Sequence, residues 1–148
     1  MSSGHQHNPT ARFSIPPGFV EIDAWPDFVV NFGQVYVNTA ARLIGFHVAK
    51  HHTNPIGVCS GGSMATFADM QLLAVMPRKL TSDNHWPTVS LSMDYVASAP
   101  LGSWVEAEVT LVKRTKTMVF TQALIRVAAN AVARSNAIYR YYEAGQTP

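Results

Sequence analysis

Residues 57–69 read GVCSGGSMATFAD, a glycine-containing loop that runs into an apolar segment carrying one carboxylate. Residues three and four apart share a face of a helix. By this rule Asp69 has small or apolar neighbours, namely Ala65, Thr66, Leu72 and Leu73. We therefore expect Asp69 to point inward or into a pocket, where desolvation raises the pKa of a carboxyl group and makes it a candidate general base.

The glycine pair ahead of this segment predicts a site for an oxygen atom. Gly61 and Gly62 stand at the start of the predicted helix, where backbone N–H groups lack intrahelical acceptors and the helix dipole is positive. An electron-rich oxygen binds well at such a position. Together with Asp69, the pair predicts an acyl-transfer apparatus built on one short helix.

Composition indicates one domain with a substantial core and a partly covered surface. The chain has 148 residues, of which 47% are hydrophobic, so it is long and apolar enough to bury a core. Only 14% are charged, against about 25% in typical soluble domains. We interpret this deficit as surface covered by other subunits.

Several classes of partner and location are disfavoured by the sequence. The net charge is +2 and Lys and Arg form no long run, which argues against binding to polymeric nucleic acid. No apolar stretch approaches the roughly 20 residues of a membrane span, and residues 1–15 predict a disordered tail rather than a signal peptide. Because Cys59 is the single cysteine, an internal disulfide is excluded, which favours a cytoplasmic location.

The periodicity of the chain predicts an α+β fold. We expect helical turns between Phe19 and Phe32, interrupted at Pro26, and a long helix from Ser60 to Val75 that Pro77 ends. Met64, Phe67, Ala68, Leu72 and Val75 are its expected core residues. Strand-like segments cover 34–37, 42–49, 87–96, 103–112, 117–127 and 132–142. The last four alternate between apolar and polar residues and are joined by short turns, which predicts an antiparallel meander wrapped around the helix.

The spacing of five residues resembles a known signature. The pattern Asn54-x-x-Gly57-x-x-Ser60-Gly61-Gly62, followed by Asp69, is similar to that of hotdog-fold acyl-CoA thioesterases of the phenylacetate-degradation (PaaI) type. The similarity covers about residues 34–142, including 89–93 and 98–100. It implies one hotdog domain over residues 16–148, a curved antiparallel sheet around a central helix. It also implies a homodimer or homotetramer with its sites at the dimer interface.

The resemblance implies catalytic roles for particular residues. Asp69 would act on the thioester as general base or nucleophile, and the backbone N–H of Gly61 would polarise its carbonyl. Asn54 would help to place the nucleophilic water or the carbonyl from across the dimer interface. Ser90 would lie near the water.

The resemblance also implies how the substrate is bound. Gly62 would contact the acyl-CoA, and the basic turn containing Lys113, Arg114 and Lys116 would meet the CoA phosphates. No metal or other cofactor is implied. A histidine cluster, His47, His51 and His52, has no nearby cysteine or matched carboxylate, so zinc binding is disfavoured.

One departure from the family pattern keeps other functions open. Ser60 occupies the position where the family usually has His, and a serine can cap the helix but cannot hold a positive charge near neutral pH. A non-catalytic acyl-CoA-binding domain is therefore an alternative. A hydratase or dehydratase on the same fold is another, but that chemistry usually needs a histidine with an acid, and no histidine lies on the predicted central helix. Cys59 offers a third, because a thiol beside a helix N-terminus can have a lowered pKa and act as a nucleophile.

Overall fold

The computed structural model describes residues 13–22, 27–76 and 86–142. Its strands are β1 (Val20–Glu21), β2 (Tyr36–Asn38), β3 (Leu43–His47), β4 (Thr88–Tyr95), β5 (Trp104–Arg114), β6 (Met118–Val127) and β7 (Asn130–Arg140). Its α-helices are α1 (Gly61–Asp69) and α2 (Leu72–Val75), and two 3₁₀ helices cover Asp27–Asn31 and Lys50–His52. Most of the predicted N-terminal tail, together with Pro26 and Pro77, lies outside the described residues.

The strands form one antiparallel sheet in the order β1-β2-β3-β5-β6-β7-β4. This confirms the α+β fold but corrects the predicted meander of the last four strands. β5, β6 and β7 do form a meander, whereas β4 crosses over to pair with β7, with Thr88 opposite Tyr139 and Tyr95 opposite Ala133. Alternation along a strand reveals its two faces but not its neighbours, so the sequence pattern could not show this crossover.

The predicted long helix is interrupted after Asp69. The backbone N–H groups of Met70 and Gln71 bond to carbonyls three residues back, on Phe67 and Ala68, so the regular helix ends at this point. α2 then begins at Leu72. Since the apolar spacing continues across the interruption, periodicity alone predicts one continuous helix.

The N-terminal segment differs from the predicted helical turns. Val20 and Glu21 form β1 on the edge of the sheet, and only Asp27–Asn31 is helical in the described part of 19–32. Phe19 packs edge-on against Trp104, with ring centroids 5.1 Å apart. The Trp104 ring lies on Gly45, where any Cβ would overlap it.

α1 is buried through one face against the inner face of the sheet. Met64, Phe67 and Ala68 are buried as the spacing predicts, and Phe67 packs on Phe46, with ring centroids 4.6 Å apart. Leu72 is also buried, and Val75 is partly buried against the same core. The opposite face of α1 is not covered by its own sheet: Gly61 and Gly62 are exposed, and Ala65, Thr66 and Asp69 are half-buried. This face carries the residues that the sequence analysis selected.

Candidate active site

A tight turn brings Asn54 close to the start of α1. The N–H of Gly57 donates to the carbonyl of Asn54 at 3.0 Å, and Asn, Pro and Gly occupy the turn positions that favour them. Gly57 has φ +82°, a left-handed conformation that suits glycine. The side-chain oxygen of Asn54 accepts from the N–H groups of Ile56 and Val58, at 3.2 and 3.3 Å. No described residue accepts from its Nδ2, which is left to donate elsewhere.

Ser60 is the N-cap of α1. Its backbone is extended, with φ −67° and ψ 150°, and its Oγ accepts from the N–H of Ser63 at 3.2 Å. The hydroxyl also donates to Ser63 Oγ at 3.0 Å. The Ser60 N–H donates in turn to the carbonyl of His52 at 2.8 Å, which fixes the loop against the preceding segment.

The first turn of α1 presents free hydrogen-bond donors. In the described part of the chain, no acceptor pairs with the backbone N–H of Gly61 or Gly62, as expected for the first residues of a helix. The carbonyl of Gly61, by contrast, accepts from the Tyr95 hydroxyl at 2.7 Å. The two N–H groups can therefore bind a developing oxyanion.

The Asp69 carboxyl group lies at the other end of α1. Burial raises its pKa above the ordinary aspartate value, and a hydrogen bond from Thr88 opposes this increase. Thr88 Oγ1 donates to Asp69 Oδ1 at 2.8 Å, while Oδ2 has no donor among the described residues. The Tyr139 hydroxyl donates to the backbone carbonyl of Asp69 at 2.7 Å. The result is a held carboxylate with one oxygen free to accept a proton.

Thr88 is the site residue that the sequence analysis missed. Ser90, the predicted hydroxyl, lies two positions further along β4, is exposed, and makes no side-chain hydrogen bond with a described residue. The register of β4 against β7 is irregular between Thr88 and Ser90. Both hydroxyls stand at alternate positions of the predicted strand, which marks each of them as a candidate. No local feature of the sequence indicates which one reaches α1.

The predicted basic turn lies at the same end of the sheet as Asp69. Across neighbouring strands, Arg114 is opposite Val119, Val119 is opposite Tyr139, and Tyr139 is opposite Thr88. The Arg114 guanidinium stacks over the Tyr141 ring at 4.9 Å. Within the described residues, Lys113 and Lys116 are exposed and form no salt bridge.

A cavity of about 300 Å³ lies beside the first turn of α1. Aromatic, imidazole and hydroxyl groups surround it, including those of Phe28, Phe32, His51, Ser60, Ser63 and Thr66. Gly62, the second residue of the glycine pair, also lines it.

The histidines of the predicted cluster are engaged with the backbone. His52 Nδ1 accepts from the N–H of Ala49 at 2.9 Å, which leaves the proton on Nε2, 2.6 Å from the carbonyl of Phe32. Burial lowers the pKa of His52. His51 Nε2 lies 2.7 Å from the same carbonyl. Within the described ranges, no three side chains converge on a metal position, and no helix is long and apolar enough to cross a membrane.

The Cys59 thiol is not activated by its place at the helix start. It is half-buried, and burial raises its pKa to about 11. Its Sγ lies 3.7 Å from the carbonyl oxygen of Ser60. The thiol form therefore predominates near neutral pH, which disfavours Cys59 as a nucleophile.

The fold is shared with solved thioesterase structures. It superposes on a hypothetical thioesterase of Streptococcus pneumoniae, solved with coenzyme A, with a TM-score of 0.60 and 15% identity over 70% of this chain and 82% of that one. It superposes on a mutant of the phenylacetic acid degradation protein PaaI from Thermus thermophilus with a TM-score of 0.59 and 16% identity, over 84% and 94% of the two chains. The chain thus has the hotdog fold that the resemblance implied.

Sequence comparison then gives the family. Residues 56–133 match the model of the thioesterase superfamily, and this is more than half of the chain. The chain is also 22% identical to Putative esterase PA0474 of Pseudomonas aeruginosa, over 85% of this chain and 96% of that protein. The protein belongs to the thioesterase superfamily.

The cap at Ser60 generates a stability prediction. Ser60→Ala removes the acceptor for the Ser63 N–H and should lower the free energy of unfolding by about 0.5–2 kcal/mol, measured by urea denaturation. Ser60→Asn is the matched control, because asparagine caps as well as serine does, and it should retain stability. Ser60→His should also fold, since the resemblance to PaaI-type thioesterases implies a histidine at this position. Equal stability of Ser60→Ala and wild type would contradict the capping role.

Proposed function

We propose that this protein hydrolyses an acyl-CoA thioester to a free acid and CoA. Membership of the thioesterase superfamily gives the class of reaction. The observation that carries the proposal is the arrangement on α1, where Asp69 has a raised pKa and a free oxygen and the glycine pair has unpaired N–H groups.

A complete site requires two subunits. Gly61 is the first and Asp69 the last residue of α1, which has nine residues. At about 1.5 Å per residue, the two positions are roughly 12 Å apart along the helix axis. A base and an oxyanion donor must both come within about 3 Å of the reacting atoms. We therefore propose that Asp69 of one subunit acts with Gly61 of its partner, in a homodimer or a dimer of dimers.

β4 is the strand at which we propose that the subunits meet. Among the described strands it is an edge strand of the sheet, so no described strand pairs with one side of its backbone, which can accept a strand from a second copy. The large side chains of Val89 and Tyr95 on this strand, and of Val96 directly after it, are more than half exposed. The low charge content of the whole chain agrees with a covered surface of this kind.

The proposed reaction uses water as the nucleophile. Asp69 Oδ2 takes a proton from the water while the water oxygen bonds to the thioester carbon, and the resulting oxyanion is held by the N–H groups of Gly61 and Gly62. The C–S bond then breaks, and CoA leaves as the thiolate. In an alternative route, Asp69 itself attacks the thioester carbon as the nucleophile. In both routes Thr88 holds Oδ1 and leaves Oδ2 available to react.

The remaining candidates take supporting roles in the proposal. Asn54 Nδ2 would donate to the water or the carbonyl, and the cavity beside the glycine pair would receive the acyl group. Lys113, Arg114 and Lys116 would bind the CoA phosphates. Ser90 remains a candidate for the water network if the dimer brings it close.

A second function, binding of acyl-CoA without hydrolysis, is favoured by Ser60. The hydroxyl is occupied as a helix cap, and no imidazole takes the position that the family fills with histidine. The two functions differ in one measurement, which is thiol release from a panel of acyl-CoA esters.

Asp69→Asn should abolish most of this hydrolysis. The amide keeps the shape and the bond from Thr88 but cannot take a proton, and a positioned general base contributes roughly 10²–10⁴-fold. Turnover is measured by release of free CoA with a thiol reagent. Near-wild-type turnover in this variant would remove Asp69 from the mechanism. Tight binding of acyl-CoA without turnover in wild type would establish the binding function instead.

Mixed dimers test the two-subunit site. Gly61→Pro removes the N–H at the first helical position, where proline is tolerated, and the extended Ser60 suits the residue before it. Co-expression of this variant with Asp69→Asn should restore hydrolysis, because one site of each heterodimer then has both groups intact. Each variant co-expressed with itself under a second tag is the control. Absence of recovery in purified heterodimers would contradict the shared site.

The ionised carboxylate of Asp69 should also lower the free energy of unfolding. Its folded-state pKa is raised, so the folded protein binds the proton more tightly than the unfolded chain, and this contribution to stability grows as pH falls through the raised pKa. At pH 7 the ionised form opposes folding. Asp69→Asn should therefore melt at a higher temperature than wild type at pH 7, with the difference shrinking in acid. Asp94→Asn, at an exposed ion pair with Arg134, is the control and should not raise the melting temperature.

Cys59→Ala should leave hydrolysis largely intact. The raised pKa of the thiol makes thiolate attack unfavourable near neutral pH, so iodoacetamide should also have little effect. A single cysteine kept as a thiol suits the reducing cytoplasm in which we propose that the protein acts. Loss of activity in Cys59→Ala, with an acyl group trapped on the wild-type thiol, would instead establish covalent catalysis.

A further inference from the structure

Both ends of α1 are held by tyrosine hydroxyls that bond to backbone carbonyls. Tyr95 donates to the carbonyl of Gly61, the first helical residue, at 2.7 Å. Tyr139 donates to the carbonyl of Asp69, the last helical residue, at the same distance. The two tyrosines lie near opposite ends of the paired strands β4 and β7. Tyr95 thus reaches the end of α1 that carries the glycine pair, and Tyr139 reaches the end that carries Asp69.

Tyr139 acts where the helix is interrupted. Because α1 ends at Asp69, the carbonyl of this residue is free to accept a bond from outside the helix. Tyr139 is buried and stands opposite Thr88 in the sheet. One strand position therefore holds the Asp69 backbone, and its cross-strand partner holds the Asp69 carboxylate.

The buried side-chain amide of Gln71 also holds the backbone at this helix interruption. Gln71 is fully buried, and its Nε2 donates to the carbonyl of Ala68 at 3.0 Å and to Ser135 Oγ at 3.2 Å. Ser135 lies on β7, as Tyr139 does. The end of α1 is thus attached to β7 at two points, which limits the movement of Asp69.

Tyr95 acts on the oxygen-binding end. The carbonyl of Gly61 belongs to the same peptide group as the N–H of Gly62. A hydrogen bond to the oxygen of a peptide polarises the group and strengthens its N–H as a donor. The Tyr95 ring also packs close to Gly61, where a Cβ would lie 3.4 Å from Cζ of the ring.

We infer that Tyr139 and Tyr95 are positioning residues of the proposed thioesterase site. Tyr139 holds the general base through the Asp69 carbonyl, and Tyr95 orients one oxyanion donor, the Gly62 N–H, through the Gly61–Gly62 peptide. Neither hydroxyl touches the substrate. This inference rests on the proposed function for its kinetic consequences, and on the geometry of α1 for its structural ones.

Tyr139→Phe and Tyr95→Phe each remove one hydroxyl and test the inference separately. Tyr139→Phe should lower kcat roughly 10- to 100-fold with little change in KM, since misplacement by about 1 Å costs up to about 100-fold. Tyr95→Phe should lower kcat roughly tenfold, less than the 10²-fold or more lost with an oxyanion donor itself. Tyr36→Phe is the matched control. It removes a hydroxyl that donates to Gln34, and its kcat and KM should equal those of wild type.

The pH profile separates positioning from general loosening of the fold. Among the described residues, Tyr139 is the titratable side chain that hydrogen-bonds to Asp69, and it does so through the backbone carbonyl rather than the carboxyl group. Freed from Tyr139, the carboxyl should become better hydrated, so the acid limb of kcat/KM should move to lower pH in Tyr139→Phe. In Tyr95→Phe the acid limb should stay where it is in wild type. An unchanged kcat in both variants, or the same shift of the acid limb in both, would overturn the inference.

A titration without substrate distinguishes this inference from the proposed function. The Asp69 carboxyl carbon is followed by NMR in wild type, Tyr139→Phe and Tyr95→Phe, with Asp69→Asn identifying its signal. Its pKa should fall in Tyr139→Phe alone. A second outcome is that wild type hydrolyses no acyl-CoA while the Asp69 pKa still falls in Tyr139→Phe alone. That result would contradict the proposed function and support the positioning of Asp69 by Tyr139. If the pKa is the same in all three proteins, the hold on Asp69 is overturned whatever the activity.

Discussion

The burial of α1 through only one face is the constraint on which the rest of the structure depends. Met64, Phe67 and Ala68 bind the helix to the inner face of the sheet, and this apolar contact leaves the glycine and aspartate face uncovered. A helix so placed presents free N–H groups at one end and a partly desolvated carboxylate at the other. The same contact that stabilises the fold thus exposes the groups that can act on a thioester.

The edge strand β4 joins this helix to the proposed subunit contact. Thr88 and Tyr95, at its two ends, hydrogen-bond to the last and first residues of α1. The free edge of the same strand is the surface at which a second copy can pair. Since the proposed base and the proposed oxyanion donors of one chain are too far apart to share a substrate, the proposed assembly through β4 would align two helices and complete the site in one step.

Stability and the proposed function are opposed at both Asp69 and Ser60, but in opposite directions. Burial of an ionisable carboxyl is unfavourable for folding, yet the helix interruption, Thr88 and Tyr139 keep it in place. A buried carboxyl group with a raised pKa, held by two hydrogen bonds to its residue, is typical of functional sites. Ser60 shows the reverse: it stabilises the helix start as a cap, and at that position it supplies no imidazole for chemistry.

Much of the fold and half of the site follow from short-range features of the sequence. The glycine-containing loop, the Ser60 cap and the buried face of α1 depend on residues close in the chain, so residue type and spacing predicted them. Only the tertiary structure decided three features: which strand pairs with β4, which of Thr88 and Ser90 reaches Asp69, and where the helix is interrupted. Tyr139, which bonds to the Asp69 carbonyl, lies 70 residues away along the chain. Contacts at such separation leave no periodic or local pattern, because they arise only when the sheet closes around the helix.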